Sequence, residues 1–124
     1  MPRDIPIGNG TLLVTFDQDY CLRDIYYPFV GNENHTDGHK FRFGIWVDGK
    51  FDWVKKDWDL HLGYVDEMLI TQVTASNENL GVSLHCHDLV DHLENIYIKK
   101  IILKNLVNQE REFRLFFHHD YHIL

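Results

Sequence analysis

Phe41, Phe43, Ile45 and Val47 alternate with Arg42, Gly44, Trp46 and Asp48, and the run ends on the pair Asp48-Gly49. A period of two places the first four side chains on one face of an extended strand, and an Asp-Gly pair favours the type I′ turn whose twist matches antiparallel strands. Lys50 to Val54 is then the return strand. A hairpin with one apolar face is stable only when that face is covered by another layer, so this segment already requires a layered architecture.

The same unit recurs along the chain. Thr11 to Phe16 is followed by the turn residues Asp17-Gln18-Asp19 and by a second β-prone run, Leu22 to Tyr27, which stops at Pro28 because proline cannot donate to a ladder. Met68 to Ala75 and Leu80 to His87 are joined through Ser76-Asn77-Glu78-Asn79, with Leu80, Val82, Leu84 and Cys86 sharing a face. Ile96 to Leu106 is expected to pair with Glu112 to His119 across the polar link Asn108-Gln109-Glu110-Arg111. Only Asp88 to Asn95 suggests a turn of helix. The reading is an all-β, antiparallel sandwich or barrel, between which periodicity alone does not choose.

With 124 residues, 44% hydrophobic and 14% aromatic, the chain can fill one domain or most of one. Its formal net charge of −7 works against phosphate backbones and anionic membrane surfaces, so neither nucleic acid nor membrane is an expected partner. No apolar run is long enough to cross a bilayer and Met1 to Gly8 does not read as a leader, which points to a cytoplasmic chain. Cys21 and Cys86 lack the close spacing of a zinc or redox pair and are expected as packed, reduced thiols. The final segment, Leu115 to Leu124, ends in apolar material and reads as a cut. An edge left bare there would invite an edge-paired or swapped dimer.

Three segments together carry a family resemblance: Pro6-Ile7-Gly8-Asn9-Gly10-Thr11-Leu12-Leu13-Val14, Arg23-Asp24-Ile25-Tyr26-Tyr27-Pro28, and Val30-Gly31-Asn32-Glu33-Asn34-His35. With Phe43 to Gly49 and Phe113 to Asp120 in the right order, the chain resembles the opening of prokaryotic glucoamylase-like proteins of glycoside hydrolase family 15. The resemblance implies an N-terminal supersandwich of the galactose-mutarotase-like type. Residues 1–124 would be part of it, and a catalytic helical barrel would lie beyond. In that family two glutamates on the barrel carry out inverting hydrolysis of α-glucosidic bonds, and neither has a counterpart here. No catalytic residue, metal or cofactor is therefore expected in this chain. Its expected partners are its own catalytic barrel and, in the full-length protein, an α-glucan or oligoglucoside. Rival readings are an independent carbohydrate-binding module and a mutarotase-like sugar isomerase.

The best functional candidates lie in the segment from Tyr26 to Thr36. Tyr27, Asn32, Glu33, Asn34 and His35 combine an aromatic face, amides and a carboxylate, a mixture that stacks on and hydrogen-bonds to sugars at a pocket rim. The same residues also suit an ordinary turn. His85 and His87 share a strand face but lack enough companions for a metal site, and His118, His119 and His122, with Asp120, read as structural residues ending a strand. Adjacent His119 and Asp120 point to opposite faces, so they cannot easily serve one sugar as acid and base. Trp46, Trp53 and Trp58 are assigned to core or sheet-surface packing, and acidic Asp57, Asp59, Asp66 and Glu67 to a solvated loop.

Overall fold

The computed structural model describes residues 5–31 and 33–122. Among the described residues ten strands follow one another without a helix: β1 Ile5–Gly8, β2 Leu13–Phe16, β3 Leu22–Tyr26, β4 Arg42–Val47, β5 Lys50–Trp53, β6 Asp59–Tyr64, β7 Thr71–Asn77, β8 Val82–Val90, β9 Tyr97–Asn105 and β10 Phe113–His118. They form three antiparallel sheets, ordered β1-β2-β3, β10-β4-β5 and β6-β7-β8-β9. Reciprocal backbone bonds between Leu22 and Phe41, at 2.9 and 2.8 Å, join the first two sheets at a corner.

The period of two decides which side chains meet. Phe43, Ile45 and Val47 of β4 are buried, as are Val73 and Ala75 of β7 and Val82, Leu84 and Cys86 of β8, and all belong to one apolar cluster with Ile5, Ile7, Val14 and Phe16. Of the sandwich and the barrel that the alternation left open, the sandwich implied by the resemblance is what forms. At the tip of the central hairpin Asp48 and Gly49 both have positive φ, 53° and 75°, the geometry that an Asp-Gly I′ turn requires. Gly44 answers a different need. The ring of Phe51 lies so close to it that an added Cβ would stand 2.5 Å from Phe51 Cζ and 2.8 Å from the carbonyl oxygen of Asp52.

Three expectations are corrected. β9 and β10 are not a hairpin: β9 pairs with β8 over its whole length, from Val82↔Asn105 to Val90↔Tyr97, whereas β10 crosses to the other layer and pairs with β4, from Phe113↔Val47 to His118↔Arg42. The side chain of Arg111 holds that crossing. Its guanidinium donates to the carbonyls of Leu80 (2.9 Å) and Gly81 (2.7 Å), to Asn105 Oδ1 (2.7 Å) and to Asp48 Oδ2 (3.2 Å), so it ties turns of both layers at the point where the chain changes sheet. Asp88 belongs to β8, and residues 91–95 form a turn in which Asp91 Oδ2 accepts the backbone N–H groups of Leu93 and Glu94. Asp59 opens strand β6 rather than lying in a loop, because Leu60 and Leu62 pack against the core while Asp59 and His61 face outward. β1, a strand that the sequence reading did not place, adds the inward-facing Ile5 and Ile7 to the core.

Trp58 is buried, and its indole N–H donates to Asp52 Oδ2 at 3.2 Å. Trp46 and Trp53 sit on the outer face of the β10-β4-β5 sheet, covered by Arg114 and Arg42 at 4.7 and 4.1 Å from their ring centres. Among the described residues no helix is long and apolar enough to cross a membrane.

Replacing Gly44 with valine is expected to force Phe51 off the sheet and destabilise the fold by about 1–3 kcal/mol. Urea denaturation should show a lower midpoint with an unchanged slope; an unchanged midpoint would mean that Phe51 moves aside freely.

Candidate functional site

Between the two layers lies a cleft of about 290 Å³, near the lower end of the range for small-molecule sites. Phe16, Leu22, Phe41, Phe43 and Phe117 form most of its wall, Tyr20, Tyr97, Lys99 and His119 are its polar members, and Arg42 borders it. Strand geometry explains this set. Phe43 opposes Phe117 across the β4–β10 ladder and Asp88 opposes Lys99 across β8–β9, so the inward rows of two edge-forming pairs converge on one space.

Behind Tyr20, Tyr97 and Lys99 of the cleft wall lies a carboxylate. Asp88 is completely buried and accepts four bonds. The Tyr20 hydroxyl and Thr71 Oγ1 (2.7 Å) donate to Oδ2, while the Tyr97 hydroxyl (2.5 Å) and Lys99 Nζ (2.8 Å) donate to Oδ1. These donors occupy the acceptor capacity of an ionised carboxyl group. Lys99 also donates to the Tyr20 hydroxyl at 2.7 Å and lies 3.9 Å from the centre of the Tyr20 ring, adding a cation–π contact to the ion pair. Burial first, and the neighbouring Asp88 charge second, push both tyrosine hydroxyls far above their ordinary range, so both remain protonated donors. Tyr20 takes a left-handed backbone, φ 59°, unusual for a bulky side chain. The carboxylate of Asp17, which accepts the N–H groups of Asp19 and Cys21, shapes the turn that holds it there.

The loop after β3 adjoins the cleft, because Phe41, which lines the cleft, packs its ring 4.7 Å from that of Tyr121 and 5.1 Å from that of His119. Asn34 stitches this loop to the sheet. Its Oδ1 accepts from the N–H groups of Ile25 and Thr36, each at 3.1 Å, and from Thr36 Oγ1 at 2.9 Å, while its Nδ2 donates to Asp24 Oδ1 at 2.7 Å. The two ring nitrogens of His35 face the carbonyl oxygens of Tyr27 and His122, both at 3.1 Å, and Glu33 Oε1 stands 3.9 Å from His35 Nδ1. Tyr27 is exposed. Asn32 lies outside the described residues. The structure thus gathers Tyr27, Glu33, Asn34 and His35 in one loop and spends the Asn34 amide on holding its shape.

The histidine clusters separate. His85 and His87 lie together on the outer face of β8, rings 4.8 Å apart, and His87 Nδ1 bonds to the Thr71 carbonyl oxygen at 2.9 Å. His119 faces the cleft, whereas Asp120, just past the end of β10, turns away and pairs with His39 Nδ1 at 3.0 Å. Cys21 and Cys86 are buried free thiols, each pushed up to about 11 chiefly by burial.

The Asp88 group was not found by reading the sequence. A signal was present: the buried row Val82, Leu84, Cys86 continues with the same period to Asp88 and Val90. A lone aspartate in an apolar row announces a buried partner, and Lys99 sits in the matching row of β9.

No family model matches the chain. It is similar to an uncharacterized glycosyl hydrolase of Methanocaldococcus jannaschii, with 27% identity over 119 residues that cover 94% of this chain and 18% of that protein. Its fold matches part of a bacterial glucoamylase whose crystal structure was determined with acarbose. The TM-score is 0.74 at 16% identity, covering 99% of this chain and 20% of that one. The chain thus spans about a fifth of the length of either relative. The all-β antiparallel sandwich implied by the resemblance is the fold this match supports.

Two outcomes follow from this geometry. Asp88→Ala leaves the Lys99 ammonium and two tyrosine hydroxyls without their acceptor, and a loss of about 3–5 kcal/mol is expected in urea denaturation. Adding Lys99→Met should restore part of that loss, and strict additivity of the two changes would contradict the pairing. For His119, burial first and the His118 charge second hold the imidazole below its ordinary value of 6.5. The unfolded chain therefore binds this proton more readily. The stability contributed by the neutral ring is complete above pH 6.5 and is lost as pH falls from there toward the lower folded-state value. His119→Gln should flatten this acid-side decline relative to the parent chain, and superimposable pH–stability curves would show that His119 is not its source.

Proposed function

We propose that this chain is the N-terminal sandwich portion of a glucoamylase-like α-glucoside hydrolase, serving as an accessory unit to a catalytic helical barrel. Its similarity to a glycosyl hydrolase and to part of a glucoamylase fold supports that reading. The observation that carries it is the unfinished side of the sandwich. β9 and β10 are the outer strands of their sheets, and Leu115 and Phe117 on the inward row of β10 are 42% and 48% exposed, a degree uncommon for residues aligned with buried Ile45 and Phe43. Contiguous apolar surface of this kind is covered by other polypeptide in a working protein. In the short chain alone the same edges would receive a second copy, giving an edge-paired or swapped dimer.

Within that assembly the Tyr27–His35 loop acts as pocket rim. Tyr27, Asn32, Glu33, Asn34 and His35 meet the α-glucan or oligoglucoside, and Asn34 and His35 keep the loop rigid enough to do so. The mutarotase-like alternative is weakened by the divergence of His119 and Asp120, which leaves the cleft histidine without an adjacent carboxylate on its own side. An independent carbohydrate-binding module would leave the bare apolar edges without a role.

Glucose release from maltose and maltooligosaccharides, compared between the 124-residue chain and one extended through its downstream reading frame, tests the proposal. Activity is expected only in the extended form, where Glu33→Ala should raise KM more than it lowers kcat. Hydrolysis by the short chain would overturn the accessory role, and unchanged kinetics for Glu33→Ala and His35→Ala would remove the rim.

A further inference from the structure

We propose that His39, Asp120 and His122 form a binding site for one divalent transition-metal ion of the zinc class, a clamp between the loop after β3 and the segment after β10. One potential ligand atom from each residue lies within 4.8 Å of the other two. Around zinc, tetrahedral ligands at about 2.0–2.1 Å stand roughly 3.3 Å apart, so side-chain rotation alone closes the set. His39 Nδ1 is already 3.0 Å from Asp120 Oδ2, and Asp37 Oδ2 stands 3.7 Å from His122 Nδ1 as a second carboxylate at the edge of the group.

The backbone makes this arrangement more than a chance meeting of surface side chains. Asp37 and His39 are an i, i+2 pair on one segment, and Asp120 and His122 are an i, i+2 pair on the other. The segments are locked together beside the group by the His122 N–H to His35 carbonyl bond at 2.7 Å and by His35 Nδ1 against the His122 carbonyl at 3.1 Å. Phe41 and Tyr121 pack edge to face next to them. The backbone positions are thus set before any ion arrives, so little ordering remains to oppose binding. Two imidazoles and a carboxylate suit zinc, cobalt or nickel; calcium and magnesium prefer oxygen throughout. Two carboxylates also balance the charge of a dication. An ion here would fix the end of the cleft at His119 and the base of the Tyr27–His35 loop in a single step.

The test is calorimetric titration of the chelator-treated 124-residue chain with zinc chloride, repeated with cobalt chloride while the visible absorption is recorded. One equivalent of zinc is expected, with d–d bands for cobalt showing nitrogen ligation. His39→Ala and His122→Ala should each weaken zinc binding about tenfold or more. His61→Ala, which alters an exposed histidine paired with Asp59 elsewhere on the surface, should leave it unchanged. Thermal transitions recorded without metal separate a lost ligand from a lost fold, since both altered histidines lie outside the strands. Absence of stoichiometric binding, or equal weakening by His61→Ala, would overturn the site.

Discussion

The ionised carboxylate of Asp88 sits where an apolar side chain would ordinarily be, and the interior is arranged around it. A buried charge is tolerated only when its desolvation is offset by well-placed donors, and here four donors come from three elements: Tyr20 of the β2–β3 turn, Thr71 of β7, and Tyr97 and Lys99 of β9. The demand propagates outward. Tyr20 must hold a left-handed backbone to bring its hydroxyl inward, so the turn preceding it needs Asp17 to satisfy its N–H groups. Thr71 both donates to Asp88 and accepts its N–H, which fixes how β7 and β8 meet. A single polar group thereby selects one register among several that apolar contacts alone would permit.

That anchoring also explains why the cleft and the loop beside it differ in character. The cleft walls are aromatic and the carboxylate behind them is fully engaged internally, whereas the loop after β3 uses Asn34 to secure itself and leaves Tyr27 at the surface. Rigid support beneath an accessible tip is the arrangement that lets a loop recognise a ligand without a large ordering penalty. The link from sequence to site thus passes through Asp24, which accepts from Thr15 within the sheet and from Asn34 in the loop.

The residues differ in how openly they announced their roles. Phe41 to Val54 was readable because a strict alternation and an Asp-Gly turn gave the same answer at two levels, and Leu80 to Cys86 because one uninterrupted apolar row admits one inward face. β10 was misassigned because its own pattern fits any partner with a compatible face. Pairing with β4 instead of β9 is decided by Arg111 and by the layer crossing, both tertiary. The Asp88 cluster and the meeting of His39 with His122 stayed hidden for a related reason: their members are distant in sequence, and periodicity reports only neighbours. The candidate rim residues rest on composition, which records what a loop can do and not where it points.

The crossing at Arg111 also bears on how the chain is made. Its contact with Asp48 spans 63 positions of sequence, and the β4–β10 ladder beside it closes a loop of similar size. On a ribosome, β4 and β5 emerge and turn back on each other long before Phe113 to His118 appear. For that interval the free edge of β4 carries unpaired backbone groups beside Phe43, Ile45 and Val47, while the meander from β6 to β9 assembles from local pairs. Closure of the long loop therefore comes last and slowest. The nascent chain spends that time as a template for non-native strand addition, and its successful synthesis depends on shielding one edge until a late-arriving strand takes its place.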